Sequence, residues 1–153
     1  MNKMPLEKFA ISKNGVTLTF NDGRDVLVYG SKDEPTKDAQ VVFDSFIDHF
    51  NDMTGLRVSE ERADVTFVKC VIDKQGNSKY MIGIAHNTKN GVHAINTPLV
   101  HEDDCKKGIS EHFEVLQGEA YKYMAGNRKQ ADLFAGDPDQ VEQADATPRD
   151  VDF

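Results

Sequence analysis

The chain has 153 residues and a formal net charge of −8, with 39% hydrophobic and 29% charged residues. This length and composition are typical of a single folded domain with a modest core. No apolar run approaches the roughly 18 residues needed to cross a bilayer, and no apolar segment of a secretory signal follows the charged N-terminus. Two cysteines, Cys70 and Cys105, cannot build a disulfide framework, so we expect a cytoplasmic protein in a reducing environment.

The first thirty residues predict a three-stranded antiparallel meander. Apolar residues alternate with polar or small ones at 9–11 and 16–20, and the Asn14-Gly15 dipeptide between these segments is a strong hairpin signal. A second turn at 21–23 leads into a third strand at 25–29.

A helix is predicted next, beginning near Pro35-Thr36 and ending at Gly55. Its large apolar residues recur at three- and four-residue spacing, which indicates a face packed in the core. They are Val42, Phe43, Phe46, Ile47, Phe50 and Met53.

The remaining elements are strands at 64–72 and 79–86, a short edge strand at 92–95, and a second helix. This helix is expected to run from Pro98 or Glu102 to Met124, with an apolar stripe that includes Cys105. The order βββ-α-ββ-α predicts an α+β domain with a small antiparallel sheet over residues 1–126.

The first six predicted elements also match the order of an OB-fold, a small barrel that binds single-stranded nucleic acid. Stacking aromatics and a basic groove carry that activity. No cluster of Lys or Arg is evident along the strands, and the aromatics on the strands are better explained as core. These aromatics are Phe9, Phe20, Tyr29, Phe67 and Tyr80.

Composition changes after Gly126. Residues 129–153 contain seven acidic residues and two basic ones, a net charge of −5, which leaves −3 for residues 1–128. A segment with so few apolar residues cannot bury enough surface to offset the entropy cost of ordering it. Residues 127–153 are therefore predicted to be a flexible acidic tail.

Within this tail, the adjacent apolar residues Leu133 and Phe134 stand out. Together with Gln130 and Asp132 they resemble the Gln-x-Asp/Ser-Leu-Phe pentapeptide that bacterial polymerases and mismatch-repair proteins use to engage the β sliding clamp. All four specified positions match. The resemblance implies that the clamp, the β subunit of DNA polymerase III, is a partner.

Each position has a physical role in such a peptide. Leu133 and Phe134 would fill an apolar pocket on the clamp, where each contributes roughly 1.5–3 kcal/mol. The amide of Gln130 can both donate and accept hydrogen bonds and would set the register. Asp132 would favour the bound backbone conformation through local hydrogen bonds.

The last residues form an acidic tip, with Asp150 and Asp152 preceding the terminal Phe153. This tip is similar to the partner-recruiting tails of bacterial and phage single-stranded-DNA-binding proteins, although Arg149 interrupts the charge. It keeps single-stranded-DNA binding by an OB-like domain as an alternative function. A second alternative is an acidic phage protein that imitates DNA to block a host nuclease or defence enzyme.

Enzyme and metal signals are weak, so we expect a protein without catalytic residues, metal or cofactor. A zinc site can be drawn from His101 and Cys105, placed four apart on a helix, together with His86 and His93. Paired Cys-x-x-Cys or His-Glu-x-x-His spacing is missing. Cys70 is expected to be an inert buried thiol. Asp44, Asp48 and Asp52 are placed on a solvated helix face.

Overall fold

The alternating segments of the sequence form one antiparallel sheet, and the helices pack against one of its faces. The structure is a computed structural model that describes residues 3–128. Its elements, in chain order, are β1 (Leu6–Ser12), β2 (Gly15–Asn21), β3 (Val26–Ser31), α1 (Lys37–Asp44), α2 (Ile47–Thr54), β4 (Ala63–Ile72), β5 (Ser78–Thr88), β6 (Gly91–Asn96), β7 (Val100–His101) and α3 (Ile109–Met124). The predicted α+β class and the order of its main elements are confirmed.

The sheet follows the path β3-β2-β1-β4-β5-β6, and β7 adds a short pairing to β5. Every neighbouring pair is antiparallel. Among the described strands, β3 and β6 lie at opposite ends of this path and do not pair. The sheet is therefore open and is not closed into the barrel of an OB-fold.

One face of the sheet carries the core. Period-2 alternation places the apolar residues of β1, β2, β4 and β5 on that face, where the helices cover them. The ring of Phe9 lies 5.4 Å from that of Phe43 on α1, and Tyr80 lies 5.7 Å from Phe113 on α3. The predicted core positions Phe9, Phe20 and Tyr80 are confirmed as buried.

Phe67 was wrongly predicted to be core. It pairs with Ala10 on β1 and Gly83 on β5, positions that alternate with the buried Phe9 and Ile82. Its half-buried side chain therefore lies on the face of the sheet opposite the helices. A bulge between Val65 and Phe67 shifts the phase of the alternation within β4, which a period-2 pattern cannot anticipate.

The first predicted helix is two helices rather than one. Thr36 caps α1 by accepting a hydrogen bond from the backbone N–H of Ala39 at 3.2 Å, and Gly55 ends α2 in the left-handed conformation. Between the helices, the N–H of Phe46 bonds the carbonyl three residues back, and the Ser45 hydroxyl donates to the carbonyl of Val42 at 2.6 Å. Such tightened bonding breaks the regular ladder and bends the chain.

The predicted start of the last helix at Pro98 or Glu102 is wrong. Val100–His101 pairs with β5, a 3₁₀ turn follows at Glu102–Asp104, and α3 begins only after Gly108, which has a φ of 96°. A residue in the left-handed region cannot continue a helix from the N-terminal side. Cys105 therefore lies before α3 instead of on its apolar stripe.

Candidate functional site at the C-terminal end of the domain

The residues predicted to bind partners lie outside the described part of the chain. These are the clamp-binding residues Gln130, Asp132, Leu133 and Phe134 and the tip residues Asp150, Asp152 and Phe153. The described chain ends at Arg128, two residues before the predicted clamp-binding peptide. Arg128 is therefore the described residue nearest in the chain to that peptide.

Arg128 is held between the end of α3 and the β3 strand. Its guanidinium donates to Asp33 Oδ2 at 2.6 Å and to Ser31 Oγ at 3.3 Å, and it also donates to the Tyr29 hydroxyl. Its Nε donates to the carbonyl of Tyr123 at 3.2 Å. The fork geometry of arginine allows these bonds to be made at once.

Two aromatic rings complete this anchor. The guanidinium carbon lies 4.5 Å from the centre of the Tyr123 ring and 5.7 Å from that of Tyr29. The Tyr123 hydroxyl in turn donates to the backbone carbonyl of Asp33. The Arg128 side chain is only 16% exposed, so its charge is partly removed from water and its aromatic contacts are strengthened.

Electrostatics keep this guanidinium charged. Burial by itself would lower the pKa of Arg128, but the hydrogen bonds that it donates to Asp33 and Tyr29 raise it above its ordinary value. Burial also raises the pKa of Tyr123, so its hydroxyl remains a neutral donor. The group is a permanent ionic and aromatic contact between α3 and the β3 end of the sheet.

A second polar cluster lies between the α1–α2 junction and α3. Ser45 Oγ lies 2.7 Å from His112 Nε2, and His112 Nδ1 lies 3.1 Å from His49 Nε2. The ring of Phe46 stacks on that of His112 with centroids 4.3 Å apart. His49 is 6% exposed, and its Nδ1 has no hydrogen-bond partner among residues 3–128.

One assignment of protons satisfies every donor of this cluster. His49 donates from Nε2 to His112 Nδ1, and His112 donates from Nε2 to Ser45 Oγ, whose own proton goes to the Val42 carbonyl. His49 Nδ1 is then an acceptor without a proton. With its proton engaged by a backbone carbonyl, Ser45 is a structural link between helices rather than an activated nucleophile.

Protonation of this cluster should destabilise the fold. Burial lowers the pKa of both histidines, and for His49 the neighbouring His112 lowers it further; Asp48 opposes the shift at both. Below a pH of about 6.5 the histidines bind protons in the unfolded chain but stay neutral in the folded chain. The free energy of unfolding therefore decreases as the pH is lowered, until the pH passes below the pKa values of the folded state. Each histidine contributes at most about 1.4 kcal/mol per pH unit, and solvent screening makes the share of His112 smaller.

Urea unfolding at pH 7.5 and 5.5 measures this effect. We expect the His112→Gln variant to lose less stability between these two pH values than the wild type. The His93→Gln variant is the matched control because His93 is exposed on β6. The His93→Gln variant should lose as much stability between the two pH values as the wild type. If the His112→Gln variant also loses as much, protonation of the cluster does not destabilise the fold.

The structure does not assemble the zinc site drawn from the sequence. His86 and His93 face each other across β5 and β6, whereas His101 lies in β7. The Cys105 thiol donates to the carbonyl of His101 at 3.4 Å, and burial raises its pKa to about 11. No group of three or more His, Cys, Asp or Glu side chains with metal-binding geometry occurs within residues 3–128.

Sequence reasoning missed both described clusters. His49 and Ser45 are four residues apart in the sequence, but nothing in the pattern links either of them to His112. Arg128 was assigned to the tail by composition, and its partners on β3 lie more than 90 positions away in the chain.

In comparison with known proteins, no family model, curated protein or solved structure matches this chain. Within the described residues, no helix is long and apolar enough to cross a membrane. The functional evidence therefore comes from the residues themselves.

Proposed function

We propose that this chain is a non-enzymatic accessory protein of bacterial or phage DNA replication, recombination or repair that binds the β sliding clamp. The observation that carries the proposal is the match of Gln130, Asp132, Leu133 and Phe134 to all four specified positions of the clamp-binding pentapeptide. From ordinary residue usage, chance would produce such a match in about one chain in several hundred of this length. The clamp works in the bacterial cytoplasm, which is the proposed location.

The composition around Leu133 and Phe134 supports the interpretation that this apolar pair anchors the chain to a partner. Leu133 and Phe134 belong to a stretch from 127 to 153 that is otherwise rich in acidic, amide and small residues. An adjacent pair of large apolar side chains in such a segment is typical of an anchor that fills a partner's pocket. Flanking charges keep the segment soluble when the partner is absent.

The Arg128 anchor bears on how the domain would be held on the clamp. One residue, Lys129, lies between Arg128 and Gln130, and the two extended residue steps that join them span at most about 7 Å. A clamp-bound peptide would then keep the domain close to the clamp surface, with Tyr29 and Asp33 near the contact. Such a short connection restricts the orientation of the domain far more than a long flexible linker would.

Two outcomes share this peptide: the tail recruits the domain to loaded clamp, or it occupies the pocket and inhibits host replication. Clamp-dependent primer extension with full-length protein separates them. Reduced synthesis indicates occupation of the pocket, and retention on clamp-loaded DNA without reduced synthesis indicates recruitment.

The control in this assay is a chain that carries Leu133→Ala and Phe134→Ala together. We expect the wild type, and not this double variant, to act on the clamp in one of the two ways. Identical behaviour of the two proteins would refute the proposal.

A further inference from the structure

The face of the sheet opposite the helices carries a basic patch. All three helices pack on the face that contains Phe9, Phe20 and Tyr80. On the other face, Lys8 of β1 lies directly opposite Lys69 of β4. Within residues 3–128 neither lysine has a carboxylate within ion-pair distance.

A third lysine extends this patch onto the next strand. Lys69 pairs with Met81 of β5, and Lys79 lies two residues from Met81 on the same face. Diagonal neighbours of this kind are about 7–8 Å apart. The described domain has a net charge of −3, so the positive charge of these three lysines on one face is opposite in sign to the charge of the domain as a whole.

The direct opposition of Lys8 and Lys69 has an energetic cost. Like charges facing each other across two strands destabilise a sheet. A bound anion would remove that cost. Charge complementarity therefore indicates a ligand that carries closely spaced negative charges.

An aromatic ring lies beside these lysines. Phe67 is two residues from Lys69 on β4, and Lys8 Nζ lies 4.7 Å from the centre of its ring. The flanking residues in its row, Ala10 and Gly83, are small, and the Lys8 ammonium lies over the ring instead. Lys8 must therefore move from the ring to a phosphate when a base stacks there. A Cβ on Gly83 would lie only 2.1 Å from Phe67 Cε2, so the ring rests against the bare backbone there.

We propose that this face binds single-stranded nucleic acid, with Lys8, Lys69 and Lys79 contacting phosphates and Phe67 stacking on a base. Single strands are bound by this combination of a basic track and an aromatic platform. In a duplex the base faces are already stacked, so Phe67 would find no partner there. An acidic peptide would satisfy the lysines but would leave the aromatic platform without a planar ligand.

This inference is tested by titrating the full chain into a labelled oligothymidylate and following fluorescence anisotropy. The affinity is measured at several salt concentrations. We expect saturable binding at low salt. The combined Lys8→Ala and Lys69→Ala change should weaken binding about tenfold or more and reduce the slope of log affinity against log salt by about 1.4. Phe67→Leu should weaken binding at least about fivefold without changing that slope.

The matched control combines Lys37→Ala with Lys107→Ala, two exposed lysines located on α1 and before α3. It changes the net charge equally and should retain wild-type affinity. Absence of wild-type binding at low salt, or equal losses in the two lysine pairs, would overturn the inference. Loss in the Lys8 and Lys69 variant without loss in Phe67→Leu would also overturn it, because the oligonucleotide would then be held by charge alone.

Discussion

Replacing Leu133 and Phe134 together by alanine is expected to weaken binding to the sliding clamp by at least about 100-fold. Each side chain would lose roughly 1.5–3 kcal/mol of apolar burial, and 2.8 kcal/mol already corresponds to a factor of about 100 in affinity. Surface plasmon resonance on immobilised clamp measures this loss. Gln130→Ala should cost less, about fivefold, because a single hydrogen-bonding group contributes about 1 kcal/mol.

The control for this experiment is Val141→Ala, which removes an apolar side chain from the same acidic segment outside the pentapeptide. It should bind the clamp like the wild type. If Val141→Ala and the double variant bind equally well, the apolar pair is not the anchor. If both lose binding equally, the tail acts through general apolar contact and not through the pentapeptide.

Replacing Gly83 by alanine is expected to destabilise the domain by about 2–3 kcal/mol. The new Cβ would lie 2.1 Å from Phe67 Cε2 and 2.7 Å from Asn96 Oδ1. Gly83 is buried in β5 between β4 and β6, so the ring or the strands must move, and overpacking of this kind costs about 1–3 kcal/mol. The midpoint of urea unfolding reports the change.

Two comparisons make this prediction specific. Gly118→Ala in α3 has open space around its Cβ and should stabilise the protein by about 0.5–1 kcal/mol, since alanine favours a helix. In a Phe67→Ala background the Gly83→Ala change should cost clearly less, because the ring that it meets is gone. Equal costs in both backgrounds would show that Phe67 does not rest against Gly83.

The strands were predictable because their alternation is local. The Asn14-Gly15 turn and the apolar residues of 16–20 indicated β1, β2 and their hairpin directly, and the structure confirms them. The helix boundaries were less predictable. The break at Ser45 lies where that residue contacts His112 on another helix, and the start of α3 depends on the conformation of Gly108.

The candidate sites also differ in how far the sequence predicts them. A linear peptide such as residues 130–134 can be recognised in the sequence because the residues that would bind lie in consecutive positions. The lysine patch could not be predicted from the sequence, because Lys8 and Lys69 become neighbours only through the pairing of β1 with β4. Each strand taken alone shows no basic cluster, and the patch arises only from this pairing.

The most direct test of the central claim is calorimetric titration of the full-length chain into purified sliding clamp. Two temperatures are needed, because the binding enthalpy of an apolar contact can vanish at one of them. We expect saturable binding of one chain per clamp protomer at protein concentrations of about 10–100 µM, and no saturation for the Leu133→Ala and Phe134→Ala double variant. Absence of wild-type binding at both temperatures would contradict the proposed function.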